Sequence, residues 1–102
     1  MDELKMSQHD FTELKEQYPE IIKQMPQEFT SHQFILELAQ QNQRLYIDAL
    51  NAYRNNVAPF QAVHGVLSRS LHEFDDLVEY LEETDSQDIW RHSNRCAKWR
   101  KK

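Results

Sequence analysis

Glycine, proline and cysteine are scarce in this chain, and each shortage excludes a class of structure. Gly65 is the only glycine among 102 residues and proline occurs three times, so there is little material for the tight turns of a small all-β fold. Cys96 is the only cysteine, which excludes an internal disulfide and favours a reducing compartment over secretion. No apolar stretch approaches the ~20 residues of a transmembrane helix. We therefore expect a helix-rich cytoplasmic protein without a membrane segment.

Motifs for catalysis, metal binding and nucleotide binding are also missing. No CxxC or HxxxH pair occurs, and the spacings of His92 to Cys96 and of His64 to His72 do not match a four-ligand zinc site. No Gly-rich loop is present to hold nucleotide phosphates. A Cys–His pair exists, but nothing identifies a general base or an oxyanion site beside it. The sequence therefore predicts no enzyme, no metal and no cofactor.

Apolar and aromatic residues are plentiful enough for one folded domain. Hydrophobic residues make up 39% of the sequence, charged residues 28%, and eleven residues are aromatic. This composition is typical of a globular protein rather than a disordered chain, and 102 residues correspond to a single domain. The first ten residues, MDELKMSQHD, lack a basic region followed by an apolar run. We therefore expect no signal peptide.

Helical signals begin near the N-terminus. Asp10 and Glu13 fit a capping box that opens a first helix. Pro19 disfavours helical geometry at the residue before it and suits the first turn of a new helix, and Pro26 ends that segment. Residues 10–25 are therefore predicted to form two short helices or one kinked helix.

Two further helices are predicted in the middle of the chain. Thr30 or Ser31 is the next N-cap, and apolar residues then recur with a 3.6-residue period until the run QQNQ interrupts them. We predict helices over about 31–40 and 43–54, with one long bent helix as the alternative. The aromatic and aliphatic stripe of the second helix is expected in the core, or else in a dimer face: Tyr46, Leu50 and Tyr53.

Pro59 opens another helix, which is predicted to run to about residue 72. One face carries apolar residues at spacings of three and four: Phe60, Val63, Leu67, Leu71 and Phe74. The opposite face is small and polar: Gln61, His64, Gly65, Ser68 and His72. Glycine in mid-helix costs up to about 1 kcal/mol relative to alanine, so we expect another group to approach Gly65 closely.

The C-terminal part of the chain has two interpretations. Residues 77–81, LVEYL, either continue the helical stripe or form a short strand. In the second case SQDIW and CAKWR pair as a hairpin around the polar turn RHSNR. We predict a mainly α domain with a short C-terminal β-hairpin, and an all-α helical bundle is the alternative. Trp90 and Trp99 are both expected in the core, because large aromatic residues dominate the cores of small domains.

Charge is segregated along the chain. Residues 91–102 hold six Lys/Arg and no acid, whereas residues 1–90 hold the other six and all seventeen Asp/Glu, a net of −11. Residues 73–88 alone carry eight acids and no base. A basic end with an embedded Trp is how a small domain usually touches a polyanion, and removal of residues 98–102 is expected to weaken such binding without unfolding the domain. The alternatives are a solvated end and one that pairs with the acids upstream.

The predicted elements follow in the order helix, helix, polar turn, helix and hairpin, and the chain ends in the pattern Ser86-x-Asp88-Ile89 … Cys96-Ala97-x-Trp99-Arg100-Lys101. This order resembles a winged-helix domain, a helix-turn-helix variant with a β-hairpin wing. The ending is similar to that of small winged-helix-like proteins of bacterial mobile elements. There a Gly commonly follows the Ile–aromatic pair, a place that Arg91 takes here. The resemblance covers roughly residues 30–102 and leaves residues 1–29 as an N-terminal helical extension of the single domain.

The resemblance implies that residues 59–72 form a recognition helix, residues 55–58 its connector and residues 86–101 the wing. The helix would then offer side chains that can contact bases: Gln61, His64, Ser68, Arg69 and His72. The C-terminal cations would contact phosphates: Arg91, Arg95, Lys98, Arg100 and Lys101. The leading hypothesis is a non-enzymatic nucleic-acid-binding or regulatory domain with DNA as its partner. The alternatives are a protein-interaction module or homodimer, and an inhibitor whose acidic residues 73–88 mimic nucleic acid.

Overall fold

A computed structural model describes residues 9–102, which form five α-helices, one 3-10 helix and a three-stranded antiparallel sheet. The α-helices are α1 (Thr12–Glu16), α2 (Tyr18–Gln24), α3 (Ser31–Gln41), α4 (Gln43–Ala52) and α5 (Pro59–Arg69). The 3-10 helix Ser70–Phe74 continues α5, and the strands are β1 (Glu28–Thr30), β2 (Val78–Gln87) and β3 (Ser93–Lys101). The domain is therefore mixed α/β. The presence of a C-terminal β-hairpin is confirmed, and the all-α bundle is wrong. The predicted pairing of SQDIW with CAKWR around RHSNR is wrong, because the turn comprises residues 88–92 and Cys96 pairs with Thr84.

The N-terminal helices divide close to a proline. α1 and α2 meet at Gln17, and Pro19 lies in the first turn of α2, so the prediction of two short helices is confirmed. Asp10 accepts a hydrogen bond from the backbone N–H of Thr12 at 2.9 Å, just ahead of α1, and no capping box with Glu13 forms. Both helices bury apolar side chains in the same core as the rest of the described chain.

Thr30 caps α3, as one of the two predicted N-caps. Its Oγ1 accepts a hydrogen bond from the backbone N–H of Gln33 at 3.1 Å, and Gln33 Oε1 accepts one from the N–H of Thr30 at 2.8 Å. This reciprocal pair is a capping box. Asn42 leaves helical geometry, with φ −135° and ψ 53°, and separates α3 from α4. Two helices are thus confirmed, and the single bent helix is wrong.

β3 is the central strand of a sheet with the order β1-β3-β2. β2 and β3 form the hairpin, paired from Val78 opposite Lys101 to Gln87 opposite Ser93. β1 pairs with the C-terminal part of β3, so one row of large side chains crosses all three strands: Phe29, Trp99 and Tyr80. The sheet therefore joins the segment before α3 to the last residues of the chain.

The two tryptophans have opposite environments. Trp99 is 1% exposed, its Nε1 donates a hydrogen bond to Ser31 Oγ at 2.9 Å, and its ring lies edge-on to His72 and Tyr80. Trp90 is 61% exposed at the end of the hairpin. The prediction of a core tryptophan is therefore confirmed for Trp99 and wrong for Trp90.

Helix α5 has one side in the core. The Tyr18 hydroxyl of α2 donates a hydrogen bond to the backbone oxygen of Leu67 at 2.6 Å, and both residues are buried. On α4, Tyr46 is buried, and Leu50 and Tyr53 pack against the core at its edge, as the sequence predicted. The other side of α5 faces the hairpin across a cleft.

Candidate functional site

The basic C-terminal residues belong to β3 and do not form a free tail. Arg100 lies in register between Glu28 of β1 and Glu79 of β2, with N–O distances of 3.4 and 3.8 Å. Lys98 Nζ lies 3.4 Å from Glu28 Oε1. These side chains are partly exposed, so each ion pair contributes at most about 1 kcal/mol. Two of the five predicted phosphate-binding cations are nevertheless engaged by carboxylates within the sheet.

Two more of these cations have partners within the chain. Arg95 Nη1 lies 3.5 Å from Oδ1 of Asp85, the residue opposite it in the hairpin. Lys101 Nζ donates a hydrogen bond to the backbone oxygen of Lys23 at 3.3 Å. Pairing of the basic segment with upstream acids, left open by the sequence, thus occurs. Because the last strand residues pair with both neighbouring strands and include a core tryptophan, we expect removal of residues 98–102 to unfold the domain, contrary to the prediction from the sequence.

A cleft of about 450 Å³ lies between α5 and the hairpin, and the first turn of α3 also lines it. Six of the ten predicted binding residues line this cleft: Gln61, His64, Ser68, Arg69, His72 and Arg95. The other four do not: Arg91, Lys98, Arg100 and Lys101. The structure therefore brings the predicted helix residues together with one of the five predicted hairpin cations. The volume is within the range of pockets that hold small ligands or parts of larger ones.

The cleft side of α5 is only partly open to solvent. Gln61 and Arg69 are exposed and Ser68 is half-buried, whereas His64 is buried, although its place on the polar face predicts exposure. A Cβ on Gly65 would lie 3.2 Å from Arg69 Nη1. The group that approaches the glycine is therefore the guanidinium from the next turn of the same helix, which extends back along the cleft wall.

His64 belongs to a buried polar cluster at the inner end of the cleft. Its Nε2 lies 2.6 Å from the hydroxyl of Tyr46. Burial lowers the pKa of His64 to about 4, with Asp88 opposing the shift and His32 adding to it. Burial likewise raises the pKa of Tyr46 to about 12, with a smaller contribution from Asp88. Both side chains are therefore neutral near pH 7, and α4 and α5 are joined by an uncharged hydrogen bond.

His32, in the first turn of α3, is the second histidine of this cluster. It is 9% exposed, and among residues 9–102 its Nδ1 has no hydrogen-bond partner. Burial lowers the pKa of His32, against opposing effects of Asp88, Asn94 and the backbone of Gln87. The ring is thus neutral near pH 7 and lies where α3 meets the hairpin.

Asp88 organises the turn of the hairpin. Its Oδ1 accepts hydrogen bonds from the backbone N–H groups of Trp90 and His92, both at 2.9 Å, in the manner of an Asx turn. Burial alone would raise the pKa of Asp88, but the hydrogen bonds from His92 and Trp90 outweigh it and lower the pKa. Arg91 has φ 68°, the left-handed conformation that Gly favours, and so fills the place of the turn glycine.

Replacement of Asp88 by alanine is expected to loosen this turn. The change leaves two backbone N–H groups without their carboxylate acceptor, at a cost of about 1–2 kcal/mol in the free energy of unfolding. Faster hydrogen exchange at the amides of Trp90 and His92 measures the local effect. The exposed Asp85 is the matched control, since its alanine variant loses one surface ion pair and should exchange at the wild-type rate. Equal effects of the two variants would contradict this role for Asp88.

Sequence reasoning missed several residues of the cleft and its rim. Phe60 was assigned to the core stripe, yet it is only half-buried, lines the cleft and lies edge-on to Trp90 with ring centroids 5.2 Å apart. His32 and Asn94 also line the cleft and come from segments with no recognisable motif. Only Asp88 carried a usable signal, because an Asp two residues before Trp90 fits an Asx turn.

Comparison with protein-family models, with curated proteins and with solved structures finds no match to this chain. Between residues 9 and 102, no three His, Cys, Asp or Glu side chains come together as ligands for a metal ion. Over the same residues, every helix is too short or too polar to cross a membrane.

Proposed function

We propose that this chain is a non-enzymatic, winged-helix-like domain of the cytoplasm that binds DNA with α5 and the tip of its hairpin. The observation that carries the proposal is the convergence of six of the ten predicted binding residues on one cleft beside α5. The order of α3, α4, α5 and the hairpin supports the proposal, because it is the order of helices and hairpin on which the sequence resemblance rests. α5 is then the recognition helix and the hairpin is the wing.

The distribution of charge around the cleft supports this orientation. Arg69 on α5 lines the cleft, Arg91 lies in the turn of the hairpin, and both side chains are exposed. Glu79 lies near the opposite end of the hairpin, nine residues from Asp88, or about 30 Å along an extended strand. The carboxylate of Asp88 is buried, and its Oδ1 is occupied by two N–H groups. Glu83 does line the cleft. Because a carboxylate repels phosphate, we expect a phosphate backbone to approach α5 at the hairpin tip rather than over Glu83.

Salt dependence of duplex binding tests the proposal. Each phosphate contact contributes about −0.9 to the slope of log K against log salt. The double variant Arg69→Gln/Arg91→Gln is therefore expected to bind a mixed-sequence duplex more weakly and with a slope shallower by about 2. Arg44→Gln, a change at an exposed cation on α4, is the control and should keep the wild-type slope. Absence of salt-dependent binding, or an equal loss in the control, would refute the proposal.

A protein-interaction module is the second candidate, and the outer edge of β2 favours it. β2 is a ten-residue strand at the edge of the sheet, and its Glu82 and Glu83 are exposed. An edge strand with free N–H and C=O groups can add a strand from a partner, and acidic side chains favour a basic one. A stoichiometric complex that survives nuclease treatment and is lost in Glu82→Lys/Glu83→Lys would support this function over DNA binding.

A further inference from the structure

Trp90 is held in solvent by a turn with little conformational freedom. Its side chain is 61% exposed, and its backbone N–H is bonded to Asp88 Oδ1 at 2.9 Å. The backbone N–H of Arg91 is bonded to the carbonyl oxygen of Asp88 at 2.8 Å, which closes the turn. With 61% of the side chain exposed, most of the apolar surface of Trp90 contributes nothing to the fold through burial. Packing in the core therefore does not explain the position of Trp90.

Phe60 of α5 supports the indole from one side. The two rings meet edge to face, with centroids 5.2 Å apart and an interplanar angle of 67°. Phe60 in turn lies against the buried ring of His64, with centroids 3.9 Å apart. The indole is thus anchored to the cleft wall through a chain of aromatic contacts while most of its surface remains open. It is a preorganised flat apolar surface at the rim of the cleft.

The charged groups beside Trp90 indicate which partner fits this surface. Arg91 follows it directly, is exposed, and has no carboxylate within ion-pair distance among residues 9–102. The neighbouring acid, Asp88, is buried and accepts two N–H groups. An open aromatic face next to a cation is complementary to a nucleobase and the phosphate attached to it. The cleft along α5 leads away from the same point.

We propose that Trp90 stacks on an unpaired base, with Arg91 at the adjacent phosphate, so that the domain binds DNA where a duplex meets a single strand. This inference rests on the proposed DNA-binding function and adds to it the structural class of the target. Bases within a perfect duplex are stacked on one another, and extruding one costs free energy. An already unpaired base offers its face at no such cost, so a duplex with a single-stranded extension is expected to bind about tenfold more tightly than the blunt duplex.

Two DNA probes and one variant test the inference at low salt. The probes are a blunt duplex and the same duplex with a short single-stranded thymine extension. Trp90→Ala is expected to lose the about tenfold preference for the extended probe, so that this variant binds the two probes with similar affinity. Trp90→Phe should retain part of the preference, since a phenyl ring also stacks. Ile47→Ala, which truncates a similarly exposed apolar side chain on α4, is the control and should leave both affinities unchanged.

Tryptophan fluorescence gives a second, independent reading in the wild-type protein. Trp99 is buried and Trp90 exposed, so acrylamide quenching reports mainly on Trp90. The extended probe should protect Trp90 from acrylamide, and the blunt probe should not. If both probes bind equally and Trp90 stays quenchable, the inference is overturned while DNA binding stands. If neither probe binds, the proposed function falls as well, and the exposed indole is then a candidate protein contact.

Discussion

Trp99→Ala is expected to destabilise the protein by about 3–5 kcal/mol in the free energy of unfolding. Trp99 is 1% exposed and lies in β3 between Phe29 of β1 and Tyr80 of β2. Replacement of a core aromatic residue by alanine costs about 3–5 kcal/mol, because it removes transfer free energy and leaves a cavity. The hydrogen bond from its Nε1 to Ser31 Oγ is lost as well. Small domains are stable by only about 5–15 kcal/mol, so this loss is a large fraction of the total free energy of unfolding.

Urea denaturation followed by circular dichroism measures this loss, and Trp90→Ala is the matched control. Trp90 is the same residue type nine positions upstream, yet it is 61% exposed. Its replacement should change the free energy of unfolding by less than about 0.5 kcal/mol, as for most surface substitutions. If Trp99→Ala unfolds at the urea concentration of the wild type, Trp99 is not the centre of the core. Truncation after Ala97 should behave like Trp99→Ala, so loss of binding by that truncation is no evidence for a DNA contact.

Trp90 and Trp99 also show which features of the fold can be predicted from the sequence and which cannot. Periodicity predicted α3 and α5 well, because the signals for a helix are local in the sequence. Apolar residues recur every three or four positions, and the cap at Thr30 bonds a residue three positions away. Burial of Trp90 and Trp99 depends instead on strand register, which is set by pairing between strands, some of them far apart in the sequence. β1 has three residues and forms only because β3, some seventy residues later, offers a free edge. No local pattern in the sequence EFT predicts that strand.

The cleft was predicted only in part, again because some of its features depend on contacts between segments that are distant in the sequence. The polar face of α5 could be located from spacing, and that face does line the cleft. Burial of His64 could not be predicted, because it results from the packing of α3 and α4 against α5, where Tyr46 of α4 contacts the ring. The segregated charges were visible, but their pairing across β1, β3 and β2 required the register that places Arg100 between Glu28 and Glu79.

His64 is expected to make the protein less stable as the pH falls below neutrality. Its pKa is about 4 in the folded state against an ordinary value of 6.5, because burial disfavours the charged ring. Between these two values the unfolded chain binds more protons than the folded one, so the free energy of unfolding decreases as the pH is lowered. The contribution of the neutral His64 ring to the free energy of unfolding is fully present above its ordinary pKa of 6.5. From His64 alone, the expected loss is about 2 kcal/mol between about pH 7.5 and about pH 5.

His64→Gln is the variant that isolates this effect, measured by urea denaturation at the two pH values. Glutamine can accept the hydrogen bond from Tyr46 but does not titrate, so the difference between the two pH values should shrink by about 2 kcal/mol. A smaller dependence should remain, because burial lowers the pKa of His32 in the same direction. Tyr46→Phe is the control: it removes the partner and keeps the buried imidazole, so it should lower stability at both pH values and preserve their difference. An unchanged difference in His64→Gln would show that the ring is not desolvated between α4 and α5.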